Sequence, residues 1–164
     1  MVNCSVGSGA APGPLPSDPQ GQRLWEVFGR YPWATLEGTH PPDQPQTVQW
    51  RTLRGYPLRP RALWAAWQDG ERLVGVRFGT TTTYGLLDLD AGGGYGDATA
   101  IAPLTAALET IGITRTVIVQ SSWSGGLHLY LPLPTAVSTF NLACALAQCL
   151  QAHGFPLQAG QIEA

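Results

Sequence analysis

The chain has 164 residues, 44% of them hydrophobic, which suits one domain with a core of its own. A formal net charge of -2 excludes a molecule that gathers nucleic acid by bulk charge, so any polyanion binding requires a local basic patch. Every basic side chain is arginine and none is lysine, a bias that a GC-rich genome explains more simply than selection for phosphate contacts at each position.

Residues 1–20 are rich in Gly, Pro, Ser and Ala and carry too little large apolar surface to offset the entropy of ordering. They read as a disordered tail, with the folded domain spanning 21–164. A short helix is expected over 23–28 and should stop at Tyr31-Pro32, because the residue before proline avoids the helical region. The stretch 37–60 is prolines, turns and arginines. Here Trp50, Arg51, Arg54, Arg59 and Arg61 gather around Tyr56, and Trp64 and Trp67 follow on a short helix. Interleaved arginine and aromatic side chains suit a single nucleic-acid strand, although core tryptophans with a solvated arginine rim give the same pattern.

After the turn at Asp69-Gly70, the runs 73–78 and 84–90 read as paired strands of a hairpin, joined by the threonines Thr80 to Thr83. The second run ends in Leu87-Asp88-Leu89-Asp90. Side chains alternate along a strand, so Asp88 and Asp90 share a face with Cα atoms about 6.6 Å apart, while Leu87 and Leu89 enter the core. Two ionised carboxylates this close repel unless a cation neutralises them, so the pair reads first as a metal site.

Past the glycine-rich loop 92–96, Ile101, Leu104, Leu108 and Ile111 form one apolar helix face, with Pro103 in the first turn and Gly112 at the stop. A strand is expected over 116–120. Another, 128–133, should follow the turn Ser124-Gly125-Gly126. The last helix, 138–152, should bury Phe140, Leu142, Leu146 and Leu150 and end at Gly154, after which 157–163 begins one more extended segment. The succession of elements predicts an α+β layer, helices packed on one face of a mainly antiparallel sheet.

Cys4, Cys144 and Cys149 make no CxxC pair, and the two in the last helix are spaced neither to face together nor to chelate zinc. A reduced, cytoplasmic protein is expected. No leader pattern starts the sequence, and no apolar run approaches the ~20 residues of a membrane span, so no membrane partner is expected.

Three carboxylates could hold a pair of divalent ions, and Glu163 is the candidate for the third if its segment runs beside the Asp88 strand. In Ser124-Gly125-Gly126-Leu127-His128, glycines allow close backbone approach, while the serine hydroxyl and the imidazole can donate to phosphate oxygens. Arg77, on the run before the acidic one, could reach a nucleotide phosphate; Arg115 and Ser122 are weaker candidates.

Leu87-Asp88-Leu89-Asp90, the helix after it, the strand 117–122 and Ser124-Gly125-Gly126-Leu127-His128-Leu129-Tyr130 resemble motifs I and II of the archaeo-eukaryotic primase superfamily, especially the primase-polymerases of bacterial plasmids and phages. The resemblance covers residues 73–130, and Ile162-Glu163 matches the third, acidic motif in position alone. It implies an RRM-like sheet, incomplete at the C-terminus, and a DNA primase or polymerase using Mg²⁺ or Mn²⁺. By this resemblance Asp88 and Asp90, with Glu163, are metal ligands, and His128, Ser124 and Arg77 bind the nucleoside triphosphate. Single-stranded DNA template and a replicative helicase are the implied partners, in plasmid, phage or mobile-element replication. Two other readings stay open. One is a polymerase-β-like nucleotidyltransferase, since Gly79-Thr80 precedes the acidic pair; the other is a non-catalytic single-stranded DNA-binding module on the same fold.

Overall fold

The computed structural model describes residues 13–29, 35–39, 49–53, 59–69, 73–76, 78–94, 98–120, 125–155, 157–158 and 162–163. Arg77, Ser122 and Ser124, together with Arg54, Tyr56 and positions 1–12 of the expected tail, lie outside the described residues. The chain divides into two compact units, Met1–Arg77 and Phe78–Ala164.

In the first unit, helix α1 (Pro19–Phe28) begins inside the span expected as tail. The Asp18 carboxylate accepts the Gln20 backbone N–H at 2.7 Å, and Pro19 supplies the preset φ of a first helical turn. Strands β1 (Thr35–Thr39) and β2 (Gln49–Leu53) are antiparallel, and helix α2 (Pro60–Gln68) again starts on a proline. A Cβ on Gly21 would stand 2.8 Å from the Trp64 ring, so the two helices touch through a glycine and a flat indole. Trp67 is 60% exposed, which separates a packed tryptophan from a free one in the aromatic cluster.

Strand β3 (Leu73–Val76) pairs with β1, in the sheet order β2-β1-β3. This corrects the expected hairpin with the acidic strand. Strand β4 (Thr81–Leu89) already contains Thr81 to Thr83, so these threonines form strand rather than turn, and β4 pairs with β6 along one edge and with β7 at Asp88 and Leu89 on the other.

That second unit holds an antiparallel sheet in the order β5-β6-β4-β7, from β5 (Val117–Gln120), β6 (Leu127–Ser138), β4 and β7 (Ile162–Glu163). Alternation sends Leu87 and Leu89 of β4, Leu129 and Leu131 of β6, and Ile162 of β7 to one face. There they meet Ile101, Leu104 and Leu108 of helix α3 (Ala98–Glu109) and Leu146 and Leu150 of helix α4 (Thr139–Ala152). The α+β arrangement, helices on one face of an antiparallel sheet, is thus present in this unit.

Both helices end alike. Ile113 N–H donates to the Leu108 carbonyl and Gly112 N–H to that of Glu109; Phe155 and Gly154 repeat the pattern on Leu150 and Gln151. The glycines sit at φ 85° and 81°, the left-handed position this closure requires. Two expectations shift as a result. Helix α3 begins at Ala98, so Pro103 is interior rather than in the first turn, and the chain reverses at Gly112 so that Ile113 enters the core while Ile111 is exposed. On α4, Phe140 is 74% exposed, because at 100° per residue it lies about 120° round the helix from the centre of the Leu142, Leu146 and Leu150 stripe, and Cys149 is buried beside that stripe instead.

Between Thr82↔Val137 and Tyr84↔Pro132, β4 advances by Thr83 alone while β6 runs through positions 133–136. The Thr82 hydroxyl donates to the Tyr84 carbonyl at 2.7 Å and accepts the Tyr84 N–H at 3.2 Å, closing the irregularity. Pro132 and Pro134 fit a stretch of β6 that has passed the end of β5, where no ladder donor is required on that side. Among the described residues, no helix is long and apolar enough to cross a membrane.

Candidate metal and phosphate site

The face of the β5-β6-β4-β7 sheet turned away from α3 and α4 carries Asp88 and His128. Register sets Val119, His128, Asp88 and Glu163 in one cross-strand row, over β5, β6, β4 and β7 in turn. Opposed residues of antiparallel strands share a face, so strand pairing alone aligns the histidine with the acid. His128 Nε2 stands 3.5 Å from Asp88 Oδ1, too long for a well-formed hydrogen bond and close enough for an ion pair when the ring is protonated. Their side chains are 30% and 44% exposed, so both are reachable by a ligand.

Asp90 follows directly on β4 with an extended backbone (φ -69°, ψ 141°), continuing the alternation that sends Leu89 into the core. It opens the single 3₁₀ turn Ala91–Gly93, and its carbonyl accepts the Gly93 N–H. Gly125, at φ 74°, ends the loop into β6, and a Cβ there would lie 3.9 Å from the Ala91 Cβ. The turn after Asp90 and the turn before His128 are therefore neighbours.

The third acid was expected beside the Asp88 strand, and β7 puts Glu163 opposite Asp88 in the ladder. Among the described residues, no three His, Cys, Asp or Glu side chains come together as a metal-binding group. The two carboxylates of Asp88 and Asp90 are hard oxygen donors of the kind that suit Mg²⁺ or Mn²⁺. Ser124 and Arg77 were expected to add phosphate contacts and lie outside the described residues. Arg115 does not join the row. It precedes β5 and lines a separate cleft of about 320 Å³ with Ile113, Pro132 and Pro134.

One residue of this face escaped the sequence reading. Tyr130, two positions after His128 on β6, sits in the next row opposite Leu86 of β4 and Val117 of β5. Its ring lies edge-on to His128 at 6.2 Å and against Tyr84 at 5.7 Å, and Tyr84 in turn packs at a tilt against Phe78, centroids 5.1 Å apart. Burial, reinforced by the Asp88 charge, pushes its phenol above the ordinary value, so it stays neutral. The period-two step from His128 would have found it.

No family profile matches this chain, and no curated protein matches it in sequence.

Proposed function

We propose that the chain is a primase-polymerase-type nucleotidyltransferase with an RRM-like catalytic sheet, which makes or extends nucleic acid from nucleoside triphosphates on a single-stranded DNA template. The observation that carries this reading is the cross-strand row in which His128 lies 3.5 Å from Asp88, with Glu163 in register on the far side. Cation ligands and a phosphate donor side by side are what a triphosphate needs. A replicative helicase is the proposed partner and the cytoplasm the proposed compartment.

Asp88 and Asp90, with Glu163, would hold Mg²⁺ or Mn²⁺, which when bound supplies charge neutralisation and polarisation at the reacting phosphate. The rest falls to the chain. His128 donates an N–H to a phosphate oxygen, and the Asp88 carboxylate 3.5 Å from its Nε2 orients the ring. The turn at Gly125 and Gly126 lets the backbone come close to the phosphates, and Ser124 and Arg77 are the further proposed donors. Core anchors Leu87, Leu89 and Leu129 hold the polar side chains between them in place.

The position of His128 beside the acid favours this reading over a polymerase-β-like enzyme, whose acidic pair works without such a histidine. Primer extension with Mn²⁺ tests it. Asp88→Ala or Asp90→Ala should abolish incorporation in a folded chain, and His128→Ala should raise the nucleotide KM and lower kcat. Incorporation by Asp90→Ala equal to wild type removes the site assignment. Single-stranded DNA binding that is the same in chelator, with no incorporation at all, indicates a binding module instead.

A further inference from the structure

Strand β5 forms one edge of the β5-β6-β4-β7 sheet, and no strand among the described residues pairs with its outer side. An edge of this kind presents backbone N–H and C=O groups as a template for another strand. The side chains suit the same use. Val117, Ile118 and Val119 are 42 to 50% exposed, and because they alternate between the two faces, apolar surface is open above and below the edge. Ile118 lies opposite Leu129, which is completely buried, so the core closes over β6 and leaves β5 half uncovered. Elsewhere the same sheet blunts its edges: β6 carries Pro132 and Pro134 where it outruns β5, and β7 is two residues long and ends in Glu163. From Thr116 to Gln120 there is neither a charge nor a proline.

We infer that β5 is a self-association edge, pairing antiparallel with β5 of a second copy of this chain and joining two four-stranded sheets into one of eight strands. The sequence of the edge fixes the occupant. Val117-Ile118-Val119 reads the same in both directions, and an antiparallel pair related by a two-fold axis sets each strand against its own reverse. With the axis at Ile118, Ile118 faces its own copy, Val117 faces Val119, and Thr116 faces Gln120. Each facing pair then joins apolar to apolar or polar to polar, with β-branched side chains at the centre, and no like charges meet. The strand offers no charge by which a differently charged partner would be chosen. Because the axis stands perpendicular to the sheet, both copies present the same face on the same side. Asp88 lies two strands in from each β5, so the two carboxylates are five strand steps apart, about 24 Å, on one continuous surface. The pairing does not depend on the chemistry at Asp88.

A single pair of short edge strands makes a small interface, so the dimer belongs at the weak end of specific association, with a dissociation constant on the order of 10 µM. Sedimentation equilibrium of the full chain, from about 1 to about 200 µM, should show the mass climbing from 17.5 kDa toward twice that value. Ile118→Lys and Ile118→Glu each set like charges across the axis and should weaken association at least ~10-fold, with circular dichroism checking that the variants fold. Mixed in equal amounts, the two variants should associate again, because position 118 then meets its opposite charge. Hydrogen exchange of wild type needs no variant: the β5 amides that point away from β6 should exchange more slowly at about 200 µM than at about 5 µM. A mass of 17.5 kDa across the whole range overturns the inference, as does association that both substitutions leave intact, or β5 exchange that ignores concentration. Folded variants that fail to associate on mixing overturn it too, since the interface then does not lie on a two-fold at Ile118.

Discussion

Helix α4 offers a paired truncation whose outcome follows from the packing. Leu146 is 2% exposed and Phe140 is 74% exposed, although hydrophobic periodicity assigned both to the core. Removing the three outer carbons of Leu146 forfeits ~2.4 kcal/mol at ~0.8 kcal/mol per buried CH₂. Its Cδ1 lies 3.3 Å from where a Cβ on Gly85 would stand, so helix and sheet already touch and close only partly over the hole. A cavity contribution of ~1 to 2 kcal/mol brings the cost of Leu146→Ala to ~3.5 to 4.5 kcal/mol, within the range for buried leucines. Phe140→Ala should change stability by no more than ~0.5 kcal/mol. Urea unfolding followed by circular dichroism measures both, with unchanged slopes as the condition for comparison. A further variant sharpens the argument. In wild type, an added Gly85 methyl crowds Leu131, Leu142 and Leu146 at 3.2 to 3.4 Å; in Leu146→Ala it enters the vacated space. The double variant Gly85→Ala/Leu146→Ala should therefore be more stable than the sum of the singles by ~0.5 to 1.5 kcal/mol. Equal losses for Phe140→Ala and Leu146→Ala, or strict additivity of the Gly85 pair, would refute this packing of α4.

Gly112→Ala should cost ~1 to 2 kcal/mol in denaturant melts, because φ 85° forces an alanine into left-handed backbone and no neighbour within 4 Å compensates. A cost near zero would mean the α3 closure is not as described. Tyr130 also makes stability depend on alkaline pH. Its phenol is raised above 10.0 by burial and by Asp88, so on passing that pH the unfolded chain releases its proton first and the native state binds more protons. Stability then falls as pH rises through that window. Tyr130→Phe should flatten the difference in urea midpoint between about pH 9 and about pH 11, and an identical slope in both proteins would contradict the buried environment.

The acidic strand was the most legible part of the chain, since alternation alone separates Leu87 and Leu89 from Asp88 and Asp90. The helix stops at Gly112 and Gly154 were equally plain, because glycine after an apolar helical face has one common use. Partner choice between strands was not. The run 73–78 looked like a hairpin mate for the acidic strand, and β-propensity carries no information on which strand takes which edge. The start of α1 was written in Asp18-Pro19 and masked by a composition that reads as tail. At the site, Asp88, Asp90 and His128 could be named from the sequence, but the alignment of His128 with Asp88 arises from the β4-β6 register, while Tyr130 follows His128 by the strand's period of two. Glu163 was named on the extended segment expected over 157–163, but its place opposite Asp88 depended on the pairing of the two-residue β7 with β4.

The extra length that β6 takes up at positions 133–136 separates two stretches of ladder, Thr81↔Ser138 with Thr82↔Val137 on one side and the run from Tyr84↔Pro132 to Leu89↔Leu127 on the other. A one-residue slip in the second stretch would turn His128 inward and Leu129 outward. The surplus segment acts as slack: an insertion or deletion there is taken up where the strands are already out of step, leaving the histidine and the acid facing each other. Insertions or deletions at Pro134, Thr135 and Ala136, all exposed, should therefore leave the pairing of Asp88 with His128 intact.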